Sequence, residues 1–263
     1  MVFKDKVVWI TGASSGIGEA LVYEFVRQGA RLAISSRNET ELQRVKMQCP
    51  QQSEVEIFPL DVTDYEAVSQ TAQAIVQHFG YVSVLVANAG VSQRSLVKDT
   101  GLDVDQRIMG INYFGAVAAT KAILPSMIRQ QFGQIVVISS VLGKIGTPLR
   151  SAYAASKHAL HGFFDSLRVE VYTDNIKVTI ICPGYVRTNV TINALRGDGT
   201  PLNKMAEETA SGMSPEAFAR RAVRAIAAGR EEPIIGSKEV LAIYIKRLFP
   251  RLFSKLIRHL KFG

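Results

Sequence analysis

Short apolar runs rich in valine and isoleucine alternate with longer amphipathic stretches along most of this chain. The apolar runs are residues 6–11, 31–36, 55–60, 84–88, 134–139 and 177–182. They are apolar at consecutive positions, as expected for strands covered on both faces. The stretches with helical spacing are residues 16–28, 39–47, 65–79, 104–129 and 153–172. This alternation predicts an α/β fold, a single doubly wound Rossmann-type parallel sheet with helices on both faces.

The length and composition suit one large domain. The chain has 263 residues, of which 47% are hydrophobic and 21% charged, and this balance argues against disorder. We expect the cofactor-binding and catalytic domain to cover residues 1–236, with a last short strand at 232–236. Residues 189–213 lack periodicity and are predicted to form a substrate loop or lid. Ser214 and Pro215 are typical of a helix start, as N-cap and first-turn residues.

The formal net charge of +8 is concentrated at the C-terminal end. Residues 238–263 hold seven lysines and arginines and one glutamate, a net charge of +6, which leaves +2 for the rest. A nearly neutral body argues against a nucleic-acid partner. No apolar run reaches the roughly 20 residues of a membrane-spanning helix. Cys49 and Cys182 cannot form a disulfide framework, so we expect a cytoplasmic protein in a reducing compartment.

Residues 237–263 form a basic amphipathic segment with two interpretations. In a helix, one apolar stripe would contain Leu241, Ile245, Leu248, Leu252 and Leu256. The opposite side would carry Arg247, Arg251 and Arg258, while Phe249, Phe253 and Ile257 would widen the apolar face. Pro250 predicts two short helices rather than one. We expect residues 240–249 to pack on the domain or on a neighbouring subunit, and residues 250–263 to bind peripherally to an anionic membrane surface.

A glycine-rich turn follows the first predicted strand. It reads Gly12-Ala13-Ser14-Ser15-Gly16-Ile17-Gly18 and leads into a helix. Gly12 permits a tight turn, Gly16 allows the backbone to approach a diphosphate, and Gly18 allows the helix to pack closely on the strand. Free N–H groups at the helix start would face the phosphates. The glycine spacing is Gly-x3-Gly-x-Gly. The interpretation of the turn as a diphosphate site therefore depends largely on its position between a strand and a helix.

The end of the second predicted strand bears on the choice of cofactor. An NAD site usually has an acid about 20 residues beyond the glycines, where it binds the ribose 2′-hydroxyl. Ser36 occupies that place here, and the neighbouring Arg37 offers a guanidinium for a 2′-phosphate. These residues favour NADP(H). Two alternatives remain open: a solvated surface role for Arg37, and an NAD site in which Glu39 binds the ribose.

A phenol and an amine lie four residues apart at Tyr153 and Lys157, hence on one face of a helix. The reference pKa of a phenol is about 10, and an adjacent ammonium lowers it towards the range useful for proton transfer. Ser140 stands at the end of strand 134–139, where its hydroxyl can bond a substrate carbonyl. Asn112 is a polar residue in an apolar helix and, considered alone, is typical of a structural residue.

These motifs resemble the short-chain dehydrogenase/reductase family from about Lys4 to Thr188. The ordered set is the glycine turn, Leu60-Asp61-Val62, Asn88-Ala89-Gly90, Asn112, Ser140, Tyr153-x3-Lys157 and Pro183-Gly184-x3-Thr188. The sequence around Asn112 and Tyr153 is most similar to the 7B-type dehydrogenase/reductases, and less so to the 11β-hydroxysteroid dehydrogenases. Many members of those branches carry an N-terminal membrane anchor. This chain begins five residues before its first predicted strand, so we expect no such anchor.

The resemblance implies a tetrad of Tyr153, Ser140, Lys157 and Asn112. Tyr153 would be the general acid/base, Ser140 would orient the carbonyl, and Lys157 would bind the nicotinamide ribose and lower the Tyr153 pKa. Asn112 would hold a water that links Lys157 to solvent. The further cofactor-binding residues that it implies are Asp61 and Val62 at the adenine, Asn88, Ala89 and Gly90 beside the central strand, and Pro183, Gly184, Val186 and Thr188 at the carboxamide end.

We therefore expect an NADP(H)-dependent oxidoreductase, a carbonyl reductase or alcohol dehydrogenase that acts on an apolar substrate by hydride transfer. Apolar neighbours of the tetrad suit such a ligand, namely Val141, Leu142, Ile145 and Tyr185. The alternatives are a catalytically idle cofactor-binding protein and a membrane adaptor on the same fold. An idle site has no need of an intact tetrad.

Two further expectations concern metals and assembly. We expect no metal, because His158 and His161 lack acidic or cysteine partners at ligand spacing. The resemblance implies a homodimer or homotetramer through helices 104–129 and 153–172. Phe163, Phe164 and Leu167 would lie either at that interface or in the core.

Overall fold

The computed structural model describes residues 1–259. Its strands are β1 (Val7–Thr11), β2 (Arg31–Ser35), β3 (Val55–Ile57), β4 (Val84–Ala87), β5 (Gly133–Ile138), β6 (Ile176–Pro183) and β7 (Ile234–Ile235). They form one parallel sheet in the order β3-β2-β1-β4-β5-β6-β7. The direction of winding reverses between β1 and β4, and ligands bind beyond the carboxyl ends of the strands at such a point. The predicted fold class is confirmed.

Helices cover both faces of the sheet. They are α1 (Gly16–Arg27), α2 (Glu39–Met47), α3 (Tyr65–Phe79), α4 (Leu102–Met109), α5 (Gly115–Gln130), α6 (Ser151–Glu170), α7 (Glu207–Ala210), α8 (Pro215–Ala227), α9 (Leu241–Leu248) and α10 (Pro250–His259). Phe25 of α1 and Phe218 of α8 are buried on one face of the sheet. Ile75 of α3, Ile123 of α5 and Phe164 of α6 are buried on the other. Two apolar layers on a fully buried sheet explain why its strands are apolar at consecutive positions.

The predicted helix 104–129 differs from the observed structure. A π-helical turn, Gly110–Phe114, joins α4 to α5, and such turns are often found at functional sites. The whole span Leu102–Gln130 is long and apolar enough to cross a membrane, contrary to the expectation that no segment reaches this length. However, 44% of its most apolar window is buried inside the protein. Core helices of this kind pass the same test, and α5 packs against the sheet and against α3.

Element ends show which local signals are reliable. Ser214 is the N-cap of α8, as predicted, because its Oγ accepts a hydrogen bond from the Ala217 N–H at 3.2 Å. Strand β3 is shorter than the predicted 55–60, although the Phe58 and Leu60 N–H groups still donate to the Ile34 and Ser36 carbonyl oxygens beyond its end. Phe164 and Leu167 of α6 are buried in the core, and Phe163 is partly buried. The core interpretation of Phe164 and Leu167 is therefore correct.

The C-terminal segment forms two helices that separate at Pro250, as predicted. Ile243 and Phe253 pack against Val141 and Ile145, so these two residues lie beneath the segment rather than free beside the tetrad. Ile245 of the predicted stripe also packs inward, as expected for residues 240–249, whereas Leu241 and Leu248 of the same stripe do not. The outer surface instead exposes Leu241, Tyr244, Leu248, Phe249, Leu252 and Leu256. Residues 260–263 of the predicted segment, including Lys261, lie outside the described residues.

Candidate active site

A cleft of about 1020 Å³ opens at the carboxyl ends of the strands. It brings together every cofactor-binding residue predicted from the sequence, and Ser140 as well. Those that line it are Gly12, Ser14, Ser15, Gly16, Ile17, Gly18, Arg37, Asp61, Val62, Asn88, Ala89, Gly90, Ser140, Tyr153, Lys157, Pro183, Gly184, Val186 and Thr188. The predicted site residue that does not line the cleft is Asn112, which is 1% exposed.

The glycine turn has a geometry that side chains would block. Gly12 has φ +64°, and a Cβ there would lie 2.7 Å from the Cα of Ala89. A Cβ at Gly18 would lie 2.1 Å from the carbonyl oxygen of Gly12. Gly16 also has a positive φ, of +58°, and faces the side chain of Thr188. The turn therefore leaves a bare backbone cradle on the floor of the cleft, a shape suited to a diphosphate.

The start of helix α1 completes this cradle. Its N-cap residue, Ser15, makes no side-chain hydrogen bond to the first turn. The backbone N–H groups of that turn therefore remain available, and they lie at the positive end of the helix dipole. An anion in the cleft can bind there without displacing a capping side chain.

Asn88 ties the end of β4 to the glycine turn. Its Nδ2 donates to the carbonyl oxygens of Thr11 and Gly12, each at 3.0 Å. The Thr11 hydroxyl accepts hydrogen bonds from the N–H groups of Asn88 and Ala89 at 3.1 and 3.2 Å. These contacts fix two neighbouring strand ends relative to each other, so Asn88 supports the central strands beneath the cleft.

Arg37 and Asp61 stand at the adenosine end expected from the sequence. Arg37 is 62% exposed at its side chain and lies 3.9 Å from the Asp61 carboxylate, a loose surface pair. Burial alone would raise the pKa of Asp61. Hydrogen bonds from the Thr63 N–H and hydroxyl and the charges of Arg37 and Arg107 outweigh it, so the pKa is lowered. Ser36 and Glu39 also line this part of the cleft.

Ser140, Tyr153 and Lys157 meet at the other end of the cleft. Ser140 follows β5, while Tyr153 and Lys157 lie one turn apart on α6. The Lys157 Nζ is 5.8 Å from the centre of the Tyr153 ring and donates to the Ile138 carbonyl oxygen at 2.8 Å. The Ser140 hydroxyl lies close enough to the Tyr153 phenol to favour its ionised form. A hydroxyl, a phenol and an amine therefore line the same end of the cleft.

Burial changes the pKa of both members of the pair. It raises the pKa of Tyr153, while the nearby Ser140 hydroxyl and the charge of Arg150 oppose this rise. It lowers the pKa of Lys157 to about 8, because a low dielectric disfavours the ammonium. The sequence-based expectation of a lowered Tyr153 pKa is therefore wrong for this structure. That expectation weighed the charge of Lys157 and left out the cost of desolvating the phenolate.

Asn112 is held in the π-helical turn by three hydrogen bonds. Its Oδ1 accepts from the Val91 N–H at 2.8 Å, and its Nδ2 donates to the Val91 carbonyl oxygen and to Ser156 Oγ, each at 2.9 Å. The amide therefore joins the loop after β4 to α6 at Ser156, the residue before Lys157. Its implied contact with a water stays a prediction.

The cleft includes residues that the sequence analysis does not identify. Arg107, Ile111 and Asn193 line it, although none of them belongs to a recognisable motif. The segment of residues 92–95 is also missed. All four of its side chains are polar and buried next to the cleft. A run of polar residues after a buried strand is the one sequence signal that could have drawn attention to it.

The histidine prediction needs a correction. His161 does have acidic neighbours, because ligand-type atoms of His161, Asp165 and Glu232 lie within 4.8 Å of one another. Asp165 is one turn further along α6, and Glu232 precedes β7 in the chain. The Lys144 Nζ lies 2.6 Å from the Glu232 carboxylate and compensates its charge. Among the described residues this group is an ion-pair network around a buried imidazole.

Comparisons with known proteins agree with this site. A family model described as short chain dehydrogenase matches residues 6–198. The dehydrogenase/reductase SDR family member 7B of Xenopus tropicalis is 43% identical over 258 residues, which cover 95% of this chain and 84% of that protein. The dehydrogenase/reductase SDR family protein 7-like of Drosophila melanogaster is 43% identical over 256 residues, covering 94% and 78%.

Solved structures share the fold. A short chain dehydrogenase/reductase from Burkholderia phymatum in complex with NAD has a TM-score of 0.85 at 23% identity, with 96% of each chain covered. An alcohol dehydrogenase from Thermococcus sibiricus complexed with 5-hydroxy-NADP has a TM-score of 0.76 at 27% identity, with 90% of this chain and 98% of that one covered. The chain therefore belongs to the short-chain dehydrogenase/reductase family of oxidoreductases, and its similarity to the 7B-type members is confirmed.

Proposed function

We propose that this protein is an NADP(H)-dependent oxidoreductase that interconverts a carbonyl and a secondary alcohol on an apolar substrate, with Tyr153 as the general acid/base. The observation that carries the proposal is the meeting of Ser140, Tyr153 and Lys157 in the cleft that also contains the glycine turn. A cofactor-binding protein without catalysis would need the glycine turn but not the other three residues.

The residues present fit a nicotinamide dinucleotide. The bare backbone of the glycine turn and the uncapped start of α1 suit its diphosphate. Thr188 would bond the carboxamide, and Lys157 would bond the nicotinamide ribose. The bound cofactor supplies or accepts the hydride, and the protein supplies orientation and the proton.

In the direction of reduction, the Tyr153 hydroxyl gives its proton to the substrate carbonyl oxygen as the carbonyl carbon gains a hydride. Ser140 donates a hydrogen bond to the same oxygen and so aligns the carbonyl with the phenol. Lys157, whose Nζ lies 5.8 Å from the centre of the Tyr153 ring, would stabilise the phenolate that remains. Because cellular NADPH couples usually drive reduction, carbonyl reduction is the proposed direction. The apolar lining of Val91, Ile111 and Leu195 suits a mostly apolar substrate.

The test is turnover of a panel of ketones with NADPH by the wild type and by Tyr153→Phe. The variant should bind NADPH normally and lose turnover by roughly 10²- to 10⁴-fold, the usual contribution of general acid–base catalysis. Tyr172→Phe, an exposed tyrosine just beyond the end of α6, is the matched control. Near-normal turnover by Tyr153→Phe would overturn the assignment. A wild type that binds NADPH but turns over no ketone would favour the idle cofactor-binding alternative.

The preference for NADP(H) rests on this chain's own residues, since the related structures were solved with NAD and with an NADP derivative. Arg37 is exposed at the cleft edge, and Ser36 stands where an acid would repel a 2′-phosphate. Arg37→Ala should weaken NADPH binding by about 1.5–3 kcal/mol, the range for hydrogen bonds to charged groups, and leave NADH binding nearly unchanged. Arg27→Ala, a surface arginine outside the cleft, is the control. Equal losses for both cofactors would refute this preference.

We also propose that the C-terminal helices bind an anionic membrane surface from the cytoplasm. Leu248, Leu252 and Leu256 are 68%, 48% and 47% exposed on the outer side of α9 and α10. Residues 240–263 contain no acidic residue and several lysines and arginines. Exposed apolar side chains among cations are typical of an interfacial helix, and each cation near such a surface contributes about 1 kcal/mol.

Vesicle co-sedimentation tests this surface without disturbing the buried Phe253. The wild type should bind vesicles that contain phosphatidylserine and release at high salt. Replacing Leu248, Leu252 and Leu256 together by serine should abolish binding. The control replaces Met47 and Val97, which are exposed apolar residues elsewhere on the protein, by serine. Vesicle binding that survives the triple replacement, or a wild type that ignores the vesicles, would contradict the proposal.

A homodimer or homotetramer through α4, α5 and α6 is part of the same proposal. Phe114 of the π-helical turn between α4 and α5, Ile128 of α5 and Val169 of α6 are exposed apolar residues. Exposed apolar residues on neighbouring helices favour association over a solvated monomer surface.

A further inference from the structure

The segment of residues 92–95 follows β4 and the Asn88-Ala89-Gly90 motif and is buried throughout. Ser92 and Gln93 are 1% and 0% exposed, and Arg94 and Ser95 are each 8% exposed. None of the four lines the cleft, so cofactor contact does not explain them. Buried polar side chains are costly unless they are hydrogen-bonded, and the partners of these four therefore indicate what the segment does.

Gln93 bonds the start of the catalytic helix. Its Oε1 accepts hydrogen bonds from the backbone N–H groups of Ala152 at 2.8 Å and of Tyr153 at 3.4 Å. The N-cap position of α6 is occupied by Arg150, whose side chain makes no capping bond. The first N–H groups of a helix need an outside partner. Gln93 provides it from 60 residues away in the chain, at the residue proposed to transfer the proton.

The other end of the same amide fixes its orientation. Gln93 Nε2 lies 3.2 Å from Ser95 Oγ, 3.3 Å from Thr100 Oγ1 and 3.3 Å from Ser151 Oγ. The amide oxygen meets only N–H donors and the amide nitrogen meets only hydroxyls, so this orientation satisfies both ends. The cap is therefore held rigidly rather than by a freely rotating side chain.

Neighbours of Gln93 bind the same turn and the loop of residues 189–213, which lines part of the cleft. Ser92 Oγ accepts a hydrogen bond from the Arg150 guanidinium at 2.6 Å. Leu195, which lines the cleft, is paired with this segment by two backbone hydrogen bonds, to the Ser92 carbonyl at 2.9 Å and from the Arg94 N–H at 2.8 Å. Arg94 also pairs with Glu208 of α7. Gln93 thus stands between the substrate loop and the start of α6.

We propose that Gln93 is a positioning residue for Tyr153: by capping the first turn of α6, it holds the phenol in line with Ser140. The inference rests on the proposed role of Tyr153. A first turn without its cap frays or shifts, and the Tyr153 side chain projects from that turn. Misplacement of a proton donor by a fraction of an ångström lowers turnover more than it lowers binding.

Two substitutions of Gln93 separate capping from packing. Gln93→Met keeps the volume and removes the acceptor, whereas Gln93→Glu keeps an acceptor that suits a helix N-terminus. If Gln93 acts as a cap, Gln93→Met should lower kcat by about 10- to 100-fold, with little change in the KM for NADPH. Gln93→Glu should retain most of the kcat. If Gln93 only fills space, Gln93→Met should retain a higher kcat than Gln93→Glu. A kcat ranking in that order would overturn the proposal.

Gln134→Met is the matched control. Gln134 is also buried, at 9% exposure, and donates to Thr179 Oγ1 and to the Ile226 carbonyl oxygen, away from the cleft. Gln134→Met should lower the melting temperature as Gln93→Met does, but it should leave kcat unchanged. An equal kcat loss in both variants would show a general effect of stability and refute positioning. Retained turnover in Tyr153→Phe would refute the proposed function itself. A normal kcat in Gln93→Met, with turnover lost in Tyr153→Phe, would refute only the positioning role of Gln93.

Discussion

Acidification should destabilise this protein through one buried histidine, His161. Only 7% of the residue is exposed, and its Nε2 lies 3.0 Å from Ser139 Oγ. Its Nδ1 is 3.4 Å from the Glu232 carboxylate, which Lys144 already neutralises. Burial, followed by the charge of Lys144, lowers the pKa of His161 from 6.5 to about 4, although Glu232 opposes the shift.

The sign and size of the effect follow from linkage. Between about pH 6.5 and pH 4 the unfolded chain binds a proton at His161 that the folded protein does not, so stability rises with pH in this window. The stability that the neutral His161 contributes is fully present above about pH 6.5 and is lost as the pH falls towards 4. Each pH unit in the window is worth about 1.36 kcal/mol, so acidification to pH 5 should remove about 2 kcal/mol.

Urea unfolding at pH 7.5 and pH 5 measures this loss. His161→Gln, which keeps a polar group beside Ser139, should reduce the difference between the two pH values by about 2 kcal/mol. His158→Gln, an exposed histidine on the same helix, should show the wild-type difference. If His161→Gln and the wild type lose the same stability on acidification, the imidazole is not buried in its neutral form and the reasoning is wrong.

Three shorter predictions concern the scaffold. Ser214→Ala should cost about 1 kcal/mol in urea unfolding, because it removes the N-cap of α8; an unchanged midpoint would contradict the cap. Gly18→Ala should cost at least about 1 kcal/mol, because its Cβ would clash with the Gly12 carbonyl oxygen; wild-type stability would contradict the close packing. Light scattering at micromolar concentration should give a dimer or tetramer, and Phe114→Glu with Val169→Glu should weaken it; a monomeric wild type would refute association.

Signals that operate within a few residues predict much of the fold and the site. Alternating apolar runs predict the parallel sheet, because strands covered on both faces have no polar face. The bounds of α2 and α3 agree with their periodicity, and Ser214 and Pro250 mark a helix start and a break as expected. The four-residue spacing of Tyr153 and Lys157 places them on one helix face. Each of these features depends on local backbone geometry, which a short stretch of sequence specifies.

Contacts between distant parts of the chain could not be predicted in this way. Helix α6 begins two residues before the position that the periodicity indicates. The side-chain amide of Gln93, from another loop, accepts hydrogen bonds from N–H groups in the first turn of this helix. Phe253 packs against Val141, although the position of Val141 beside Ser140 predicts contact with the substrate. The periodicity of a sequence segment does not indicate which distant loop will contact it.

The sequence by itself determined the order of strands and helices, the backbone cradle of Gly12 and Gly18, and the pairing of Tyr153 with Lys157. The tertiary structure decided their environment. It brought Glu232 to His161, and it partly buried Tyr153, so that desolvation raises the pKa of the phenol rather than lowering it. Residue type and spacing establish which groups are available, whereas the dielectric and the hydrogen-bond partners of a group depend on the packing of elements that are remote in the chain.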